Sequence, residues 1–165
     1  MNTVAASSAK NVSGIRGVYS RFAHLADLLQ SPFLLLVRLY WGWQFIQTGW
    51  GKLHNLGHVK EFFTSLGIPA PAVMAPAISM LEFVGGILLI VGLGSRLIGL
   101  LLAGNMFVAY LSADREALSS VFSNPGKFYI ADPFTFLFAS LIVLVFGAGF
   151  FSLDAVIARR RKTAV

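Results

Sequence analysis

The stretch PFTFLFASLIVLVFGAGFFSL, residues 133–153, decides the fold class because its 21 residues include no charged side chain. A second uncharged run of 17 residues, LIGLLLAGNMFVAYLSA, covers residues 97–113. A helix needs about 20 mostly apolar residues to cross the roughly 30 Å hydrocarbon core of a bilayer. Two such runs in a short chain predict an integral membrane protein.

The composition supports the membrane prediction and excludes several functions. Of 165 residues, 56% are hydrophobic and 12% are charged, whereas soluble domains have about 45–50% apolar and about 25% charged residues. The net charge of +6 comes from residues that flank apolar runs, so it indicates membrane orientation and not a nucleic-acid partner. The sequence has no cysteine, which excludes thiolate catalysis, disulfide exchange and cysteine-ligated iron–sulfur clusters.

From these runs and the shorter apolar segments around them, we predict an all-α, integral membrane four-helix bundle. Residues 1–31 are expected to form a cytoplasmic tail, mobile over 1–20, with a short interfacial helix over 21–30. Residues 32–158 form the membrane domain, and residues 159–165 form a basic cytoplasmic tail. The predicted spans are about 32–51, 72–91, 96–113 and 133–147, with an interfacial helix within 52–71, a tight turn at 92–94, a loop at 114–130 and a short final helix from about 152.

The distribution of Lys and Arg predicts the orientation. With four spans, both termini and the turn at 92–94 share one side, which then carries eight basic residues, against four on the other side and one within a span. Cytoplasmic loops carry the excess of Lys and Arg. Both termini are therefore expected in the cytoplasm, with the chain in the cell inner (plasma) membrane.

Two charged residues inside predicted spans are the candidate catalytic residues. Arg38 lies six residues after Pro32 and Glu82 lies nine residues before Val91, so both are predicted at similar depth, roughly 9 and 13 Å from the cytoplasmic surface. Charges in hydrocarbon are costly and are usually paired or functional. We expect Arg38 and Glu82 to face each other, either as a structural ion pair or as the floor of a polar pocket in which Glu82 relays a proton.

A stripe on the first span extends this predicted pocket. Arg38, Phe45 and Lys52 fall on one side of a helix, and Gly42 and Gly49 lie between them, where they permit close backbone approach or leave room for a ligand. Deep aromatic side chains either pack the core or line a flat ligand such as a quinone ring. The candidate cofactor-binding residues are Arg38, Trp41, Phe45, Lys52 and Glu82.

Metal binding is a weaker possibility at the end of the first span. His54 and His58 are spaced i, i+4 and could share a metal on one helix. The sequence offers no third ligand except Glu61. No metal site is therefore predicted.

Several separated blocks resemble the DoxX family of membrane proteins. They are the pattern Arg38-Leu39…Gly42…Phe45…Gly49…Lys52-Leu53, LGIPAP (66–71), EFVGGILLIVGLGSRL (82–97) and GAGFFSLDAVI (147–157). The resemblance covers about residues 32–160. Where the family often has Gly-Pro-Gly after the fourth span, this sequence has Gly-Ala-Gly at 147–149.

The resemblance implies a four-helix membrane protein linked to quinone-dependent oxidation, because some DoxX and DoxD proteins are membrane subunits of such enzymes. We therefore predict a membrane subunit of a quinone-linked oxidoreductase, with a quinone as cofactor and electrons from a partner subunit or a small reductant. A non-catalytic scaffold or a small-solute transporter is the alternative. The expected partners are the lipid bilayer, an oxidoreductase subunit and further copies of the chain.

Overall fold

Helices joined by turns and short irregular segments make up the described part of the protein, which contains no strand. A computed structural model describes the backbone of residues 2–163 and the side chains of residues 20–161. The all-α prediction is confirmed. The helices are α1 (Asn2–His54), α2 (Leu56–Ser65), α3 (Pro71–Val91), α4 (Ser95–Ser112), α5 (Arg115–Ser119), α6 (Pro125–Ile130), α7 (Pro133–Phe146) and α8 (Leu153–Thr163).

Three helices of the described chain are long and apolar enough to cross a membrane: Ser20–His54 of α1, and the whole of α3 and α4. Helix α7 is apolar but has 14 residues, which span about 21 Å at 1.5 Å per residue. Large side chains on the outer faces of these helices are exposed, among them Leu36, Leu97 and Val145. Exposed apolar surface of this extent is typical of a membrane protein.

Two boundary predictions were wrong. Pro32 was expected to begin the first span, but α1 continues through it and its backbone extends back to Asn2. Residues 1–20 were predicted to be mobile, and this stays a prediction. The side chains of residues 1–19 lie outside the described part of the protein. The predicted loop at 114–130 contains the short helices α5 and α6, and Pro125 stands in the first turn of α6, where its missing N–H costs nothing.

Other boundaries were predicted correctly. A helix within 52–71 is present as α2, and α7 ends at Phe146 before a short final helix. The turn between α3 and α4 has positive φ at Gly92 (73°) and Gly94 (61°), a conformation that glycine adopts without steric cost. Gly94 is the N-cap of α4, and Ser95 begins the helix.

The four apolar helices pack in a ring, with α1 on α3, α3 on α4, α4 on α7 and α7 on α1. Two glycines fix the antiparallel register of α1 and α3, because a Cβ on Gly86 would lie 2.6 Å from the carbonyl oxygen of Gly42. The predicted glycine stripe therefore serves close backbone approach. The core inside the ring consists of Val37, Phe45, Leu89, Leu102, Met106, Ala139 and Val143.

Candidate functional site

At one end of the ring, Arg38 is fully enclosed by backbone carbonyl groups. Its Nε donates to Leu89 O (2.8 Å), its Nη2 to Ile90 O (2.8 Å) and its Nη1 to Phe151 O (3.0 Å) and to Ala148 O. Leu89 and Ile90 lie in the last turn of α3, where carbonyls have no partner within the helix. The side chain of Arg38, 1% exposed, therefore caps α3 and ties it to the segment after α7.

The turn beside Arg38 leaves no spare room. A Cβ on Gly92 would lie 2.6 Å from Arg38 Nη2 and 2.6 Å from the Cβ of Ser152. The Asp154 N–H donates to Gly92 O (3.0 Å). This end of the ring is thus packed with backbone and one guanidinium group.

The carboxylate of Asp154 in α8 caps the start of α4. It accepts hydrogen bonds from the N–H groups of Gly94 (2.8 Å) and Ser95 (2.9 Å) at the start of α4. Partial burial raises the pKa of Asp154, but these two hydrogen bonds and the nearby Arg38 charge outweigh it, so the pKa lies below its usual value. We call Arg38, Gly92 and Asp154, with the segment 147–152, the carbonyl clamp.

The predicted pairing of Arg38 with Glu82 was wrong. Gly42 faces Gly86, so in this antiparallel register Arg38 is level with Ile90. Glu82 is eight residues further along α3, roughly 12 Å away at 1.5 Å per residue. The similar depths were calculated from Pro32 as the membrane boundary, and α1 has no boundary there.

Glu82 instead pairs with Lys52, near the other end of α1. The Lys52 Nζ donates to both carboxylate oxygens of Glu82 at 2.7 Å, and the Asn105 Nδ2 of α4 donates to Oε1 at 2.9 Å. The side chain of Glu82 is 2% exposed and that of Lys52 is 36% exposed. The pair therefore connects a buried carboxylate to the protein surface.

Helix geometry explains this choice of partner. A side chain on an α-helix leans toward the N-terminus of its own helix. Because α1 and α3 are antiparallel, Lys52 and Glu82 lean toward each other, whereas Arg38 and Glu82 lean apart. Once the structure gives the register of α1 and α3, this rule selects Lys52, and not Arg38, as the partner of Glu82.

Three neighbouring cavities meet at Lys52. The deep cavity, about 360 Å³, lies between α2 and α4 and reaches Glu82 and Asn105. The side cavity, about 300 Å³, reaches Glu82 from the side of α7. The outer cavity, about 390 Å³, lies on the surface of α1 beside Lys52.

The linings of these cavities differ in polarity. Most of the deep cavity is apolar, with Phe62, Phe63 and Met106 among its walls. The side cavity adds the carboxylates Asp114 and Asp132. The surface of the outer cavity is also mostly apolar, but most of the residues that line it are of polar types; the lining consists of Gln47, Thr48, Gly51, Lys52, Asn55, His58 and Val59.

The remaining predicted residues lie in different surroundings. Phe45 is fully buried in the core, packs edge-to-face on Phe136 with ring centroids 4.8 Å apart, and lines the side cavity. Trp41 packs against the core and edge-to-face on Tyr40. Of the predicted set, Lys52, Glu82 and Phe45 share a site, and Arg38 lies at the other end.

The two histidines do not form an i, i+4 pair on one helix. Helix α1 ends at His54, and His58 belongs to α2. The ring of His54 contacts Trp50 O through Nδ1 (2.9 Å), while His58 lines both the deep and the outer cavities. Within the described residues, no group of three His, Asp or Glu side chains is placed to hold a metal.

Two features of this site were not predicted from the sequence. They are the second partner of Glu82 and the contribution of α2 to the lining of the deep cavity. Asn105 is an amide inside an apolar run, a pattern that indicates an interhelical hydrogen bond, but nothing in the sequence selects Glu82 as the acceptor. Phe62 was placed on an interfacial helix. Its position over Glu82 depends on the bend at Asn55, which begins α2.

The fold and this arrangement define a class: a small helical membrane protein with a buried carboxylate–ammonium pair beside a cavity. The chain belongs to the DoxX family, whose model matches residues 33–115. Its recognition from the separated sequence blocks is confirmed.

Two curated relatives extend the match beyond this segment. The chain is 28% identical to "Putative oxidoreductase CatD" of Bacillus subtilis (strain 168), over 78% of this chain and 89% of that protein. It is 25% identical to the inner membrane protein YqjF of Escherichia coli (strain K12), over 80% of this chain and 97% of that protein. No solved structure matches.

Proposed function

We propose that this protein is a membrane subunit of a quinone-linked oxidoreductase and that the quinone ring binds in the deep cavity. The observation that carries the proposal is the convergence of Lys52, Glu82 and Asn105 on one wall of an otherwise apolar cavity of about 360 Å³. Small-molecule sites are typically apolar clefts of about 300–1,000 Å³ with a few oriented polar groups. The oxidoreductase name of the CatD relative agrees with this reading.

The donor set of the cavity fits a ring that carries carbonyl oxygens. Lys52 Nζ and Asn105 Nδ2 are donors, and Phe62 and Phe63 offer flat apolar surface. When bound, a quinone would accept two electrons and two protons. The donor of the electrons in this proposal is a partner subunit or a small reductant.

The residues of the chain would then perform two tasks. Lys52 orients a ring oxygen by a charge-assisted hydrogen bond. Glu82, held by Lys52 and Asn105, carries a proton to or from that oxygen at its Oε atoms. Arg38 has no part in this chemistry, since its donors are satisfied by backbone carbonyls.

We further propose four membrane crossings with both termini in the cytoplasm of an inner-membrane protein. The excess of Lys and Arg on the side of the turn at 92–94 supports this orientation, and the YqjF relative is an inner membrane protein. For α7, the 14-residue helix would span a locally thinned bilayer. The cavities would then open near the outer face of the membrane.

A small-solute transporter is the second candidate, favoured by the polar residues that line the outer cavity and by the exposure of Lys52. It predicts flux of a solute through vesicles that contain this chain alone. The oxidoreductase predicts binding of a quinone without flux. A closed scaffold fits less well, because the polar pair borders three cavities.

Binding of a short-chain ubiquinone to the full chain in lipid nanodiscs tests the main proposal. Lys52→Gln and Asn105→Ala should each raise the Kd about 10-fold or more, which corresponds to about 1.4 kcal/mol. The matched control is Lys60→Gln, an exposed position on α2 that lines none of the three cavities. If Lys52→Gln and Asn105→Ala both bind the quinone as the wild type does, the site is wrong.

A further inference from the structure

We infer that the outer cavity is the route by which protons pass between Glu82 and water outside the protein. Lys52 lines all three cavities and is hydrogen-bonded to both Oε atoms of Glu82. The carboxylate itself is buried, whereas the ammonium side chain is 36% exposed. Lys52 therefore stands between the buried acid and the solvent-facing cavity.

The lining of the outer cavity suits proton exchange through water. Gln47, Thr48 and Asn55 are exposed polar side chains there, and they can hold a chain of water molecules. His58 lines the outer and the deep cavities together with Lys52. An imidazole can both accept and release a proton.

The transfer balances without a further reactant. One proton moves from Lys52 Nζ to a Glu82 oxygen, and the neutral amine then takes a proton from water or from the protonated imidazole of His58. Bulk water reprotonates His58, so each group returns to its initial charge when Glu82 releases its proton. The route would supply the proton chemistry of the proposed function, but its existence does not depend on a bound quinone.

The other titratable groups around the pair lie on different elements. Asp114 and Asp132 line the side cavity at the α4 and α7 ends. His54, at the end of α1, makes its ring contact with Trp50 O. The outer cavity is lined by residues of α1 and α2 and by Asn55 between them, so blocking it leaves these groups in place.

A glycine offers a way to plug the outer cavity. Gly51 lines it, and a Cβ at this position would meet no atom within 4 Å. The variant Gly51→Leu should therefore fold and fill the cavity with an apolar side chain. The matched control is Gly104→Leu on α4, where a Cβ also meets no atom within 4 Å and which lines none of the three cavities.

The test follows the carboxyl group of Glu82 by infrared difference spectroscopy after a pH jump, in nanodiscs without quinone. The Glu82 band is identified by its loss in Glu82→Gln. We expect Gly51→Leu to slow its protonation at least 10-fold and Gly104→Leu to keep the wild-type rate. We also expect His58→Ala to slow protonation and added imidazole to restore it.

Two results would overturn the inference: a wild-type protonation rate in Gly51→Leu, or a Glu82 band that does not respond to the pH jump. Because quinone is absent, either result leaves the proposed binding of a quinone in the deep cavity standing. Conversely, if Lys52→Gln and Asn105→Ala bind quinone as the wild type does, the proton route still stands.

Discussion

Arg38 and Lys52 are cations on the same helix, 14 residues or about 21 Å of helical rise apart, and their surroundings differ. Arg38 is 1% exposed and bonded to four backbone carbonyls. Lys52 is partly exposed, bonded to one carboxylate and bordered by cavities. A cation whose hydrogen bonds all go to buried or partly buried backbone carbonyls stabilises the fold. A cation that is hydrogen-bonded to a carboxylate beside a cavity remains available to a ligand.

The glycines near these two cations can be compared in the same way, one in the turn after α3 and two within α3. Gly92 is confined by the Arg38 guanidinium, and Gly85 and Gly86 pack against α4 and α1 near Glu82. Both ends thus have tight backbone packing, and only the surroundings of the charge distinguish them. The following predictions test whether one end is structural and the other functional.

Removing the Arg38 guanidinium should have the largest effect on stability. Arg38→Met leaves four carbonyls without this donor, two of them buried and two partly buried. A buried group left unsatisfied costs about 1–3 kcal/mol, so we expect a loss of about 4 kcal/mol or failure to accumulate. Unfolding of the purified protein in detergent measures it. Arg96→Met, at an exposed position on α4, is the control and should change stability by less than about 0.5 kcal/mol. Equal stability of the two variants would contradict the carbonyl clamp.

A methyl group between α1 and α3 should have the next largest effect. In Gly86→Ala the new Cβ would approach the Gly42 carbonyl oxygen to 2.6 Å, and overpacking of this kind costs about 2 kcal/mol. The same unfolding assay measures it. Gly104→Ala should be neutral or slightly stabilising, because Ala favours helices over Gly. A stable Gly86→Ala protein would mean that the register of α1 and α3 differs from the one described.

The Lys52–Glu82 pair should show an energetic coupling that Asp154 and Glu82, at opposite ends of the ring, lack. In a double-mutant cycle with Lys52→Met and Glu82→Gln, we expect a coupling of about 1.5 kcal/mol in the free energy of unfolding. The cycle of Asp154→Ala with Glu82→Gln, which joins the two ends, should be additive within about 0.5 kcal/mol. If the effects of Lys52→Met and Glu82→Gln are additive, the Lys52–Glu82 ion pair does not stabilise the protein.

The smallest effect should be a pH dependence of the carbonyl clamp. Asp154→Ala removes a helix cap and should cost about 1 kcal/mol at neutral pH. Because the folded pKa of Asp154 lies below its usual 3.8, its contribution is present above pH 3.8 and is lost as the pH falls through the folded pKa. The stability gap between wild type and variant should therefore close in acid. A gap that stays constant down to acidic pH would exclude the carboxylate as its source.

The sequence predicted the helical class, α3, α4, the turn at Gly92 and the residue types of the site, because apolar runs and glycine turns are local signals. The partners of Arg38 and Glu82 could not be read in this way, since they depend on where α1 begins and on its register with α3. Pro32 gave a false boundary. Arg38 binds backbone carbonyl groups, which every residue has, so the types of side chain in the sequence do not identify them. The α2 residues that line the deep cavity reach it because the chain bends at Asn55, the N-cap of α2.

Photolabelling with an azido-quinone in nanodiscs, followed by mass spectrometry of the modified peptides, tests most directly whether the chemistry lies at the Lys52–Glu82 end. We expect labels on residues 56–66 of α2 and 105–113 at the end of α4, reduced by excess unlabelled quinone and in Lys52→Gln. Competable labels confined to residues 31–38 and 147–152, around Arg38, would contradict the account.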